Sequence, residues 1–149
     1  MAARIVFSSS ESRAVLEIVG YQFQSADSFC DANWLEVGVQ VDSADGTSWK
    51  TVDPALCTFE LVDLASWLGD IQRGQCTVSE CTFLEPCIEF EYLGGCDVLV
   101  RFQWELAAPG YEDVGYELVF SLSEEEFQTL IAEVEQAIFM FPVRGRSDR

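Results

Sequence analysis

The segment 33–41, NWLEVGVQV, alternates apolar and polar side chains, and this pattern constrains the fold more than any other part of the sequence. Leu35 and the valines point to one side of such a strand, whereas Trp34, Glu36 and Gln40 point to the other. Seven further segments have the β-branched and aromatic content of strands: 4–7, 14–23, 47–52, 76–84, 87–93, 97–106 and 116–122. The chain is therefore predicted to consist mainly of short strands.

Two segments instead show apolar residues at helical spacing. The first is 59–73, which begins after a predicted N-cap at Thr58. The second begins at Ser123, which forms a capping box with Glu126, and ends before Pro142. Because the second helix has a continuous apolar stripe, we expect that stripe to pack on a sheet.

The register of one hairpin can also be predicted. If Phe90 and Val100 face the same core, the parity of the two strands places Glu89 opposite Arg101. The loop 94–96 then has a length that commonly carries a glycine in the left-handed region.

Short connections between consecutive strands favour an antiparallel arrangement. The sequence therefore predicts an α+β fold: an antiparallel, meander-like β-sheet of about eight strands, with one helix inserted mid-chain and a C-terminal helix packed on the sheet. We expect a single domain over residues 1–142, followed by a basic, flexible tail over residues 143–149.

The chain is strongly acidic, with 26 Asp and Glu residues, 8 Lys and Arg residues and a net charge of −18. This charge repels phosphate backbones, so we expect neither nucleic acid nor an anionic membrane as a partner. A basic protein partner would be attracted and its association accelerated. Solubility alone is the simpler explanation of the same charge.

Six cysteines raise the question of disulfides or metal binding. The N-terminal residues lack the pattern of a secretory leader, no CxxC occurs and the chain has no histidine. We therefore expect free thiols that pack as small apolar side chains, a cytoplasmic location, and no metal or other cofactor. No apolar run reaches the roughly 18 residues of a membrane-spanning helix.

The missing histidine removes Ser-His-Asp and Cys-His catalysis, and no glycine-rich phosphate loop occurs. Three glutamates nevertheless fall on one side of a predicted strand, namely Glu85, Glu89 and Glu91. They could serve as acid and base in glycoside hydrolysis, form a solvated face, or face a basic partner. Nothing in the sequence shows the burial that would separate two carboxylate pKa values, so no catalytic residue is predicted.

Trp34 has two interpretations. On a polar strand face it could anchor a partner, since aromatic residues are enriched at binding hot spots. Alternatively a helix covers it, because the neighbouring strand 14–23 has apolar residues on both faces. Covering by a helix is the favoured interpretation.

The chain contains, in order, the motifs LEIVGYQF, DANWL, TFELVDLASWL, FLEP and IEFEYL. Together they resemble bacterial immunity proteins of the WapI type, and the resemblance extends from residue 14 to residue 142. It implies a cytosolic binding protein without catalytic activity that neutralises a cognate toxin domain, often a nuclease. In the pattern of this family FLEP is often followed by Asn, whereas this chain has Cys87.

Three functions therefore remain open. The first is a non-enzymatic, acidic inhibitor that binds a basic toxin domain through Glu85, Glu89, Glu91 and Trp34. The second is a carboxylate-dependent hydrolase or carbohydrate-active domain. The third is a stand-alone bacterial domain with a regulatory role. The oligomeric state is left open by the sequence.

Overall fold

The computed structural model describes residues 2–145, and the strands of this part of the chain form two antiparallel sheets. The first sheet contains β1 (Ala3–Ser8), β2 (Arg13–Tyr21), β3 (Trp34–Asp42) and β4 (Ser48–Cys57). The second contains β5 (Glu80–Cys81), β6 (Ile88–Gly94), β7 (Asp97–Phe102) and β8 (Tyr116–Ser121). The helices are α1 (Phe29–Asn33), α2 (Thr58–Gln72), α3 (Glu124–Met140) and a 3-10 turn at Trp104–Leu106.

Strands that follow one another in the chain are neighbours in each sheet, so the α+β class and the antiparallel meander are confirmed. The predicted eight-stranded sheet is, however, split into two sheets of four strands. Stacking explains the split, because two sheets that each have one apolar face can bury both faces against each other. Phe7 shows this contact: its ring centroid lies 5.5 Å from Phe90 and 5.7 Å from Phe120.

The two sheets and the helices share one hydrophobic core. Phe7, Phe102 and Phe120 are each fully buried, and burial of a side chain of this size contributes about 1.5–3 kcal/mol. The C-terminal helix α3 packs on β1 and on α2 through its apolar stripe, as predicted. The backbone N–H of Val6 donates to Glu133 of α3 at 3.0 Å, so α3 also protects the edge of the first sheet.

Several local predictions can be compared with the structure. The capping box of Ser123 and Glu126 is confirmed. Glu89 lies opposite Arg101, as the parity argument predicted. The strand predicted at 76–84 is reduced to Glu80–Cys81, and the strand predicted at 97–106 ends at Phe102.

The N-cap of α2 is Cys57 rather than Thr58. The reason is the side chain of Glu60, which accepts hydrogen bonds from the N–H of Cys57 at 2.9 Å and from the N–H of Leu84 at 2.8 Å. Burial raises the pKa of the Glu60 carboxyl, and these two donors oppose that rise. Glu60 thus ties the start of α2 to the turn before β6.

Of the predicted tail, the structure describes Val143, Arg144 and Gly145, whereas Arg146 and Arg149 lie outside the described residues. The flexibility of the tail and the domain boundary at residue 142 stay predictions. Within residues 2–145, no helix combines the length and apolar composition needed to cross a membrane.

Candidate partner-binding surface

The polar residue of the DANWL motif, Asn33, is fully buried and makes four hydrogen bonds. Its amide nitrogen donates to the carbonyls of Phe29 at 2.8 Å and Arg144 at 2.9 Å. Its amide oxygen accepts from the Thr58 hydroxyl at 2.6 Å and from the N–H of Arg144 at 2.8 Å. We call Asn33, Thr58 and Arg144 the Asn33 cluster. It joins α1, α2 and the C-terminal segment.

The guanidinium of Arg144 is also fully engaged. It donates to the backbone carbonyls of Ala32, Gln24 and Phe23 at 2.7–2.8 Å. It also lies 3.7 Å from the ring centroid of Tyr21, a cation–π contact. Arg144 therefore has a structural role, although the sequence suggested a residue of a flexible tail.

Trp34 opens β3 and is half-buried. It pairs with Cys57, the last residue of β4, and its cover by a helix stays a prediction. Trp34 belongs to the first sheet, whereas Glu89 and Glu91 belong to the second, and the four residues predicted to bind a partner therefore do not form one strip. A binding role for Trp34 stays a prediction.

Glu89 and Glu91 lie on the side of β6 that faces away from the core, in register with the outward residues of β7 and β8. Arg101 is the cation of this surface. It binds Glu117 at 2.6 Å and Glu89 at 3.9 Å, and the hydrogen bond that its guanidinium donates to Glu117 is the main cause that raises the pKa of Arg101. We call Glu89, Glu91, Arg101 and Glu117 the outer acidic face.

The outer acidic face is open. Val119, an outward residue of β8, is 50% exposed, and the main helix packing lies elsewhere, on β1, β4 and β5. Glu85 is exposed in the bend that precedes β6. The structure thus brings Glu89 and Glu91 together on one face and places Glu85 in the loop before β6.

The outward face of the first sheet has a different composition. It forms a groove of about 300 Å³ in which Arg4, Lys50 and Glu17 surround the exposed Val19 and Val52. Here cations outnumber the carboxylates that line the groove. This groove therefore differs in charge from the outer acidic face, where carboxylates outnumber the cation.

A second group of acids lies between the sheets. Asp53 of β4, Cys87 and Glu105 bring a carboxylate oxygen, a thiol and another carboxylate oxygen within 4.8 Å of one another. We call these three residues the seam cluster. The Cys87 thiol donates to Glu105 at 3.3 Å and lies 3.9 Å from Asp53.

The seam cluster concentrates negative charge without a cation. Burial raises the pKa of Asp53, and the nearby carboxylates of Glu105, Glu85 and Glu36 raise it further. Among residues 2–145, neither Asp53 nor Glu105 forms a salt bridge. Burial, together with the nearby carboxylate of Glu105, raises the pKa of the Cys87 thiol to about 12, so the thiol donates a hydrogen bond to the carboxylate rather than adding a further negative charge.

Asp53 lies on the inward side of β4 by alternation with Trp49 and Thr51, and a β-bulge follows it. Val37 pairs with Asp53 but Leu35 pairs with Leu56, so Pro54 and Ala55 of β4 lie opposite the single residue Glu36 of β3. Bulges redirect side chains and tolerate proline, which cannot donate to the ladder. The alternation of the sequence does not reveal this bulge, although Pro54 inside a strand is the signal that could have indicated it.

Beside the seam cluster, Trp104 projects from the 3-10 turn. Its side chain is 44% exposed, and its backbone has φ +51°, a left-handed conformation that costs a non-glycine residue about 1–3 kcal/mol. It lines a groove of about 290 Å³ together with Trp49, Lys50, Thr51, Glu105, Ala107, Pro109 and Glu112. We call this the Trp104 groove.

The sequence predicted a strand over 97–106, which includes Trp104, and this was wrong at its end because β7 stops at Phe102. Pro109 and Gly110, which follow closely, were the signal of an irregular segment. The hydroxyl of Thr51 donates to the carbonyl of Glu105 at 3.1 Å, which fixes the turn against the first sheet.

Gln103 links these surfaces. With its amide nitrogen turned toward acceptors, it donates to Glu89 at 2.6 Å and to the carbonyl of Pro86 at 3.3 Å. Its backbone N–H donates to the carbonyl of Cys87 at 2.8 Å. The outer acidic face, the seam cluster and the Trp104 groove are therefore continuous.

The chain matches the family model described as the Immunity protein WapI-like family over residues 5–142. No curated protein matches its sequence. The matched range includes both sheets, both long helices and all three parts of the continuous surface. The chain belongs to the WapI-like immunity protein family.

Proposed function

We propose that this protein is a non-enzymatic, cytoplasmic inhibitor that neutralises a basic toxin domain through its outer acidic face. The proposal rests on one observation above all: the second sheet presents Glu89, Glu91 and Glu117 around a single Arg101, on a face that no main helix packing covers. Membership of an immunity protein family supports a toxin as the partner.

Electrostatics supports a basic partner in particular. The net charge of −18 attracts a cationic protein over long distances, and steering of this kind raises association rates by about 10-fold or more at low salt. A toxin that cleaves nucleic acid would carry such positive charge, because it has to bind phosphates. A nuclease domain is therefore the proposed target.

The hydrolase alternative receives less support from the same residues. Glycoside hydrolysis needs one protonated and one ionised carboxyl on either side of a bound sugar. Glu89 instead interacts with Arg101, on a face where Val119 is half exposed. Glu89 and Glu91 thus fit a binding face better than a catalytic pair.

Binding to a toxin domain tests the proposal, and the genes adjacent to that of this protein are the place to search for one. We expect coexpression to restore growth and purified proteins to form a complex whose association slows as salt increases. If the wild-type protein neither rescues growth nor binds the toxin domain at low salt, the proposed function is wrong.

Two charge reversals locate the binding face. Glu91→Lys changes the outer acidic face, and Glu135→Lys makes the same change in charge at an exposed site on α3. We expect Glu91→Lys to reduce the association rate about 10-fold at low salt and Glu135→Lys to reduce it less than about 2-fold. Equal effects of the two variants would show that net charge, rather than this face, directs association.

A further inference from the structure

We propose that the Trp104 groove binds an arginine side chain of the toxin partner, an inference that rests on the proposed function and names the anchor of the complex. The sequence placed the aromatic anchor at Trp34. The structure points to Trp104 instead, because this residue is 44% exposed and lines a groove, whereas Trp34 is half-buried.

The backbone that carries the indole is fixed before any partner arrives. The backbone N–H of Trp104 donates to the carbonyl of Glu112 at 3.0 Å, and the carbonyl of Trp104 accepts from Ala107 at 3.1 Å. Thr51 holds the next residue, Glu105, against β4. Tryptophan is among the residue types most enriched at binding hot spots, and a backbone fixed in advance reduces the entropy lost on binding.

The charged residues that line the Trp104 groove favour a cationic side chain as its occupant. Glu105 and Glu112 line the groove, and Asp53 lies beside Glu105 in the seam cluster. Lys50 is the cation on the groove wall, and Arg101 is engaged by Glu117 outside it. An anionic side chain would therefore be repelled, whereas a cation would gain the attraction of two or three carboxylates.

Arginine fits the groove better than lysine. Its planar guanidinium can stack on the indole of Trp104 while its N–H groups donate to the carboxylate of Glu105. Lysine carries a point charge on a flexible chain and offers no flat surface to stack. The basic toxin domain of the proposed function would carry such arginines on its surface, so the inference requires no further property of the partner.

Affinity for the purified toxin domain tests the groove, with matched variants. We expect Trp104→Ala to weaken binding about 30-fold or more and Glu105→Gln to weaken it about 10-fold. The control Phe139→Ala, which removes another exposed aromatic residue, should change affinity less than about 2-fold. Lys50→Ala should strengthen binding about 2- to 3-fold, because it removes the cation that opposes an arginine.

Folding is checked on the same proteins by thermal unfolding. If Trp104→Ala does not fold, Trp104→Asn replaces it, since asparagine tolerates the left-handed backbone. A wild-type complex that Trp104→Ala or Trp104→Asn leaves unchanged would overturn the arginine site and leave the proposed function intact. Self-association of the free protein that Trp104→Ala abolishes would assign the groove to a second copy of this chain and would also overturn the inference.

A toxin-independent probe separates the two proposals. The capped tripeptide Gly-Arg-Gly is titrated against the wild-type protein while the indole N–H resonance of Trp104 is followed, with Gly-Lys-Gly and Gly-Glu-Gly as controls. We expect a saturable shift with the arginine peptide, a smaller one with lysine and none with glutamate. Equal shifts with arginine and lysine, or no shift with arginine, would overturn the inference even if the toxin domain binds.

Discussion

The Asn33 cluster and the seam cluster place polar groups inside the same fold, but the first pairs complementary groups and the second holds like charges close together. Every polar group of the Asn33 side chain meets a partner of the complementary kind, with donors facing carbonyls and the amide oxygen facing two donors. The seam cluster brings Asp53 and Glu105 together with only the weak donor Cys87 between them. The first arrangement stabilises the fold, and the second maintains negative charge at the surface where a partner is proposed to bind.

Substitutions in the two clusters are therefore expected to change the free energy of unfolding in opposite directions. A buried donor or acceptor that loses its partner costs about 1–3 kcal/mol, so the Asn33 cluster is sensitive to any truncation. Like charges held close together cost free energy in the native state, so removing one of them should help folding. Proteins often accept a cost of this kind at binding sites, where the charge serves a partner.

The largest effect is expected for Asn33→Ala. This change leaves the Thr58 hydroxyl and the backbone N–H of Arg144 without their acceptor, and we expect a loss of about 3 kcal/mol in the free energy of unfolding. Urea unfolding measures it, and Thr58→Val with the double variant completes a mutant cycle. Additive effects of the two changes would contradict a shared hydrogen bond.

A smaller loss is expected for Arg144→Ala. The variant removes three hydrogen bonds to backbone carbonyls and the contact with Tyr21, and we expect a loss of about 1–2 kcal/mol in the free energy of unfolding. The control is Arg73→Ala, which removes an exposed salt bridge with Asp70 worth less than about 1 kcal/mol. Equal stability changes in the two variants would show that the C-terminal segment is not held by Arg144.

In the seam cluster, Asp53→Asn is expected to increase the free energy of unfolding at pH 7 rather than to decrease it. A raised pKa means that the native state holds the proton more tightly than the unfolded chain, so wild-type stability falls as the pH rises from below 3.8 through the raised pKa of Asp53. The variant lacks this loss. After allowance for solvent screening, it should be more stable than wild type at pH 7 by less than about 1 kcal/mol.

Unfolding in urea at pH 7 and near pH 3.5 measures the difference. The advantage of Asp53→Asn should be present at pH 7 and should decrease toward pH 3.5, because the pH then approaches the unfolded pKa of 3.8 and the wild-type carboxyl becomes increasingly protonated in both states. Asp113→Asn, a change at an exposed aspartate, is the control and should have little effect at either pH. A variant that is less stable than wild type at pH 7 would show that Asp53 stabilises the seam.

The smallest effect is expected for Cys87→Asn, which introduces the residue that often follows FLEP in the family pattern. An amide donates better than a thiol to Asp53 and Glu105, so we expect a gain of a few tenths of a kcal/mol in the free energy of unfolding. Cys96→Asn at an exposed thiol is the control. Destabilisation by Cys87→Asn would show that the buried site has no space for the amide.

Much of the fold could be predicted from the sequence because its signals are local. The capping box of Ser123 and Glu126 and the register of Glu89 with Arg101 depend only on spacing along one or two neighbouring strands. The errors occurred where the chain departs from regular geometry. The bulge at Asp53 and the left-handed turn at Trp104 break the period on which the prediction relied.

The candidate site was predictable only in part. Glu89 and Glu91 share a face because alternation in a strand requires it. Their relation to Trp34 could not be predicted, since the alternation of a strand does not specify the sheet to which it belongs. Trp104 was missed for a similar reason, because an aromatic residue that follows a strand has the same composition whether the strand continues or ends.

The sequence by itself determined the α+β class, the meander order of the strands, the two long helices and the acidic charge, because each follows from composition or from contacts between near neighbours in the chain. The tertiary structure decided the rest. The stacking of two separate sheets brings Asp53, Cys87 and Glu105 together, and the same packing closes Asn33 on Arg144 across 111 positions of sequence. Contacts of this kind depend on how complete layers pack against one another, and no periodicity within a single segment carries that information.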